Sequence, residues 1–193
     1  NANLVAFTDG KSPYANTIKN LIHHFSLISL PFKNVIKNNL FYLKDKSSKI
    51  KFHNNEYVII GSPLISDNYL SKYSYNNKIK SLIKKLPLNS KIFYLPHRRE
   101  ILEDLVEITD LKVIDSKGCF ELWVLNQSTL PTNFISFGSG LSLVLDSIFG
   151  SSINQYISKF KKNDFYENQK NFNDHFKDVY EYYFKSIKNL KKI

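Results

Sequence analysis

From Tyr57 onward the chain alternates short, continuous apolar runs with longer segments whose apolar residues recur every three or four positions. The first pattern predicts strands buried on both faces, the second amphipathic helices. Tyr57-Val58-Ile59-Ile60, stopped by Gly61-Ser62-Pro63, predicts a buried parallel strand and its loop. Ile79, Leu82, Ile83 and Leu86 share one helical face with lysines opposite, and Pro87 ends that helix. The spacing then predicts a strand at Lys91–Leu95, a helix at Ile101–Ile108, a strand at Lys112–Ile114 and a helix at Phe120–Leu125. A strand at Asn133–Phe137 and a helix at Leu141–Phe149 follow. This alternation predicts an α/β fold with a Rossmann-like doubly wound parallel sheet.

The flanks differ. Leu4–Phe7 predicts a strand, and Ser12-Pro13, an N-cap followed by proline, opens a helix with Tyr14, Ile18, Leu21, Ile22 and Phe25 on one face. His23 and His24 fall in its last turn, where a cation suits the helix dipole. Leu27–Asn39, broken by Pro31, reads as a connector, Leu40–Leu43 as a short strand, and the lysine-rich stretch Lys44–Asn55 as a domain boundary. Phe172–Leu190 places Phe172, Phe176, Val179, Tyr180, Tyr183, Ile187 and Leu190 on one helical face. That face is expected to pack on protein, with docking on an anionic membrane surface as the alternative. The expected division is residues 1–50, the remnant of an N-terminal domain with its linker; 51–170, the sheet domain; and 171–193, the amphipathic helix. A first strand that starts near Asn1, in a chain without methionine, leads us to expect further sequence upstream.

With 193 residues and 42% hydrophobic content, the chain can bury one good core or two small ones. No run approaches the roughly 20 apolar residues of a membrane span, and no signal-peptide pattern opens the chain, so a cytoplasmic location is expected. The single Cys119 excludes an internal disulfide and any multi-cysteine zinc site. Lys and Arg number 27 against 17 Asp and Glu, a net charge of +10 that favours anionic partners. The pairs Lys84-Lys85, Lys161-Lys162 and Lys191-Lys192 are short and read most simply as solvated faces.

Three segments at predicted strand ends carry candidate chemistry, because open α/β sheets bind ligands outside such ends. Asp9, before the turn-permitting Gly10, can act as a general base, although Asp-Gly is also a common plain turn. His97 with Arg98 and Arg99 makes a phosphate-binding strand end; Arg99 and Glu100 have the alternative of starting a helix and pairing locally. In Phe137-Gly138-Ser139-Gly140, a turn before a helix, backbone amides and the Ser139 hydroxyl can hold a phosphate. Glu121, early in a helix, can accept from a ribose diol or simply complement the dipole. Trp123 reads as core. No Walker loop, dinucleotide glycine fingerprint, hydrolase elbow or metal motif occurs, which favours a metal-free mechanism.

Together these segments resemble the bacterial sialyltransferases of the GT-B type, closest to the lipooligosaccharide sialyltransferase family and its polysialyltransferase relatives. Thr8-Asp9-Gly10 stands for their acidic motif, Pro96-His97-Arg98-Arg99-Glu100 for the His-Pro motif, and Phe137-Gly138-Ser139-Gly140 for the hydroxyl-rich phosphate turn. Phe120-Glu121-Leu122 stands for the ribose-binding region. The resemblance implies a GT-B-like fold whose C-terminal domain binds a CMP-activated sialic acid or related nonulosonic acid. Asp9 would deprotonate the acceptor hydroxyl, His97 contact and protonate the donor phosphate, Ser139 bind it with Gly10, Arg98 and Gly140 nearby, and Glu121 hold the ribose. Transfer would invert the anomeric carbon without a metal or cofactor. The acceptor would be a surface glycan such as lipooligosaccharide or capsule, met at the inner face of the bacterial membrane. Thr8, Arg98 and Gly140 depart from the motifs, which have an acid, a proline and a second hydroxyl at those places. The resemblance implies that the acceptor-binding half of the N-terminal domain is not in this sequence, and a fragment without it need not be active.

Two other classes compete. A non-catalytic module that binds a CMP-sugar or an anionic glycan would keep the crevice without transfer. A basic nucleic-acid-binding domain fits the charge, but the basic residues do not cluster with aromatics on one predicted strand face, so no nucleic-acid partner is expected.

Overall fold

Val58-Ile59-Ile60 offers no polar face to solvent, and in the computed structural model it lies at the centre of a sheet covered on both sides. The structure describes residues 24–26, 35–37, 41–108, 111–116, 120–169, 172–187 and 189–193. In chain order these form β1 (His24–Ser26), β2 (Val35–Lys37), α1 (Phe41–Ser47), β3 (Lys51–Ile60), α2 (Lys72–Ile83) and β4 (Lys91–Leu95). A 3₁₀ segment (Leu102–Ile108), β5 (Lys112–Val113), α3 (Phe120–Leu125), β6 (Thr129–Ser136) and α4 (Leu141–Phe149) follow. The chain continues with β7 (Asn154–Ile157), α5 (Phe172–Ser186) and β8 (Leu190–Lys192). β1 and β2 make a separate two-stranded parallel pair.

The main sheet has six strands, all parallel, in the order β5-β4-β3-β6-β7-β8. The chain moves outward from β3 through β4 to β5, crosses back to β6 on the other side of β3, and moves outward again. This is the Rossmann-like doubly wound order, and its reversal lies between β3 and β6. Alternate side chains of β3 feed two cores. Ile59, with Tyr94 and Ile135, packs against Tyr75, Ile79 and Leu82 of α2. Val58 and Ile60, with Leu95 and Phe134, pack against Phe120 and Val124 of α3 and Leu145, Ile148 and Phe149 of α4. α2 is started by Ser71, whose hydroxyl accepts the Ser74 N–H at 3.1 Å.

The sheet domain agrees with the sequence pattern in kind, and several elements differ. Leu40–Leu43, expected as a strand, lies largely within α1: Leu43 packs against the α3–α4 core, and Lys44 and Lys46 complement the helix C-terminus. The polar stretch expected as a boundary is α1 followed by the exposed first half of β3, whose pairing with β6 shifts register between His53 and Tyr57. His24 and Phe25, expected in a helical turn, lie in β1, and Val35–Lys37 within the expected connector forms β2. The expected helix over Ile101–Ile108 is a 3₁₀ segment kinked at Leu105. α5 ends at Ser186, so Leu190 belongs to edge strand β8 instead of the helix. Tyr180, Tyr183 and Ile187 are buried with Ile157, so this part of the helical face packs on the sheet. No helix among the described residues is long and apolar enough to cross a membrane.

Past the C-terminal ends of β6 and β7, an aromatic cluster closes the α2 side of the sheet. Phe160 lies 5.0 Å from Phe137, 5.9 Å from Tyr75 and 6.2 Å from Phe165, centroid to centroid. Phe160→Ala removes the shared ring and leaves a cavity, and is expected to cost about 3–5 kcal/mol of unfolding free energy, read by urea denaturation.

Candidate functional site

Strand ends at a point of reversed order diverge, because the connections leave toward opposite sides. Here the ends of β3, β4, β5 and β6 enclose a crevice of about 600 Å³. His97 and Arg98 line one wall, Ser139, Gly140 and Leu141 another, and Ile114 to Ser116 with Phe120 a third. Two of the three segments singled out from sequence therefore meet at one place. Asp9 and Gly10, the third, lie outside the described residues. Glu121 stands in the first turn of α3, directly after the crevice-lining Phe120.

The turn after β6 owes its shape to Gly138, whose φ of 95° disfavours residues with a Cβ. It delivers Ser139 to the start of α4, where the Ser139 hydroxyl accepts the Leu141 N–H at 3.3 Å. Gly140 occupies the N-cap position and supplies no side-chain cap, so the positive end of a nine-residue helix faces the crevice. A Cβ at Gly140 would meet nothing within 4 Å.

Only two of the three expected cations line the crevice. Arg99 turns away, with its guanidinium 2.9 Å from Asp67 in the loop after β3. His97 is half-buried; burial first, then the charges of Arg99 and Arg98, hold its pKa below the ordinary histidine range, with Asp67 opposing. Its Nδ1 accepts the Arg99 N–H at 3.2 Å, which leaves the proton of the neutral ring on Nε2. An imidazole N–H, a guanidinium and a helix N-terminus around one cavity can hold an anion and stabilise charge that develops on it.

Sequence reasoning passed over the support behind His97. Glu100 Oε2 accepts the His97 N–H at 2.6 Å, and Oε1 accepts the hydroxyls of Tyr94 at 2.7 Å and Tyr75 at 2.9 Å. The two tyrosine oxygens are 3.1 Å apart, and Tyr75 also accepts the Ser62 N–H at 2.9 Å. Burial pushes the Glu100 carboxyl above the usual carboxylate range, while bonds from Tyr94, the His97 N–H, Tyr75 and the Ser62 N–H pull it back. The available signal was the spacing: a glutamate three residues after His97 can reach back to a backbone N–H, as in a capping box. Trp123, expected in the core, is half-buried and stacks on Phe120 with centroids 5.4 Å apart.

Comparison with protein-family models and with curated proteins finds no match to this chain in either. Gly61 offers a direct test of the site's packing, because a Cβ there would lie 2.6 Å from the Tyr94 hydroxyl and closer still to Glu100 Oε2. Gly61→Ala is expected to destabilise the fold by about 1–3 kcal/mol through overpacking, read as a lower denaturation midpoint with an unchanged m-value.

Proposed function

We propose that the crevice binds the nucleotide of a CMP-activated sialic acid or related nonulosonic acid, and that the chain is the donor-binding part of a GT-B-type glycosyltransferase acting on a surface glycan. The observation that carries this reading is the convergence of His97 and Arg98 with Ser139 and the N-terminal end of α4 at the reversal of strand order. A phosphate suits that set: Arg98 and the helix N-terminus supply positive charge, Ser139 a hydroxyl, and His97 Nε2 a proton donor. The family resemblance supplies the cytidine and the sugar. It also supplies the role of Asp9 as base, that of Glu121 on the ribose, and a transfer that needs no metal.

In this mechanism the acceptor oxygen attacks the anomeric carbon from the face opposite CMP. The bond to the phosphate oxygen breaks, and the CMP phosphate gains the negative charge. The His97 proton and the positive end of the α4 dipole meet that charge as it develops, so they stabilise the transition state more than the bound donor. The reaction takes place at the cytoplasmic side of the membrane, where CMP-activated sugars and growing glycans meet.

Calorimetric titration with CMP, using UMP and AMP as controls and no added metal, tests the reading. Selective CMP binding is expected, and a folded chain that binds none of the three overturns it. Because the free imidazole titrates below its ordinary range, a phosphate dianion beside it raises its pKa and draws in a proton. Binding at about pH 7 is therefore expected to show net proton uptake, measured from the dependence of the enthalpy on buffer ionisation heat; His97→Asn removes that uptake. Gly140→Ser adds the hydroxyl that the family turn carries, at a site with room for it, and is expected to tighten CMP by about threefold to tenfold while leaving cytidine affinity unchanged.

A further inference from the structure

Glu100 lines the crevice beside His97 and Arg98, but its carboxylate oxygens are already taken: Oε1 by Tyr75 and Tyr94, and Oε2 by the backbone of the His97 loop. A carboxylate partly withdrawn from water is costly unless its acceptor sites are filled, and here they are filled from three elements. Tyr75 comes from α2 and Tyr94 from β4, both essentially inaccessible to solvent, while Tyr75 also ties in the loop after β3 through the Ser62 N–H. A Cβ at Gly61 would occupy the space that this carboxylate uses, so the loop after β3 is shaped around it. The His97 ring sits directly on the backbone that Glu100 anchors, and its Nδ1 is held by the Arg99 N–H within the same turn. The chain of contacts runs from the helix face through the carboxylate to the orientation of one imidazole.

We propose that Glu100 is a positioning residue: its carboxylate, clamped by the Tyr75 and Tyr94 hydroxyls, fixes the His97 turn so that Nε2 faces the anion-binding crevice. This rests on the reading of that crevice as a phosphate site. Glu100→Gln tests it, since the side-chain amide keeps the shape but can place only one acceptor oxygen. With that oxygen toward the tyrosines, the nitrogen faces the His97 N–H, donor against donor; with it reversed, the tyrosine pair loses its acceptor.

The experiment combines NMR titration of the His97 imidazole with CMP and cytidine affinities, on wild type and Glu100→Gln in the full chain. The charged groups that shift His97 are Arg98, Arg99 and Asp67, and none of them is altered. Released toward solvent, the variant's imidazole is expected to titrate closer to the ordinary histidine value and to lose the Nε2-protonated preference. Its CMP affinity is expected to fall at least about tenfold while cytidine affinity stays within about twofold, a loss confined to the phosphate. A folded Glu100→Gln with the wild-type His97 titration and wild-type CMP affinity overturns the proposal. So does an equal loss for CMP and cytidine, which marks a merely structural residue. If Glu100→Gln does not fold, Tyr94→Phe loosens the clamp while keeping the carboxylate, and a smaller shift of His97 in the same direction is expected; no shift overturns the proposal. Wild-type chain that binds no CMP defeats the phosphate reading, and the His97 titration then decides the positioning role by itself.

Discussion

The ends of β3 and β4 are held together by one carboxylate. Glu100 is half-buried, and ionising it there is opposed by desolvation, so the ionised form depends on the four donors that surround it: two tyrosine hydroxyls and two backbone N–H groups. That requirement propagates outward. It demands glycine at position 61, places Tyr75 and Tyr94 with their hydroxyls 3.1 Å apart inside an otherwise apolar core, and fixes the turn that carries His97. Burial of the tyrosines and their interaction with Glu100 raise both phenol pKa values well above the ordinary range, so the hydroxyls remain donors at any physiological pH.

Charge is used economically around the crevice despite the net +10 of the chain. Several described lysines are engaged elsewhere. Lys91 pairs with Glu56 at 2.8 Å, Lys72 pairs with Asp104, and Lys159 lies over the Tyr180 ring at 4.6 Å. Arg99, next to the site in sequence, pairs with Asp67. The positive groups that face the crevice are one guanidinium and one imidazole, both placed by the end of β4, and one helix terminus placed by the end of β6. The global positive field can draw anions toward the surface, but selection among them falls to this local set.

Periodicity made most of the sheet domain legible. β4, α3 and α4 coincide with their predicted ranges, because each is an uninterrupted apolar run or a helical stripe bounded by a proline or a glycine. The last two strands were not legible: Asn154-Gln155-Tyr156-Ile157 and Leu190-Lys191-Lys192 are short and half polar, and they acquire strand geometry by pairing with neighbours already in place. α1 was misread because Phe41-Tyr42-Leu43 is locally as good a strand as a helix, and the contact of Leu43 with the α3–α4 core comes from the far side of the chain.

The sequence by itself determined that strands and helices alternate, and that the His97 and Ser139 segments lie at or just beyond strand ends, since hydrophobic period and turn chemistry are properties of a few adjacent residues. Only the tertiary structure decided that β6 returns beside β3, so that two segments about 40 residues apart share one crevice. It also decided that Arg98 faces that crevice while Arg99 turns to Asp67, and that the carboxylate of Glu100, a residue that local pattern would leave at the surface, is held by two tyrosine hydroxyls. These outcomes depend on pairing and desolvation between residues far apart in the chain, which no local window of sequence contains.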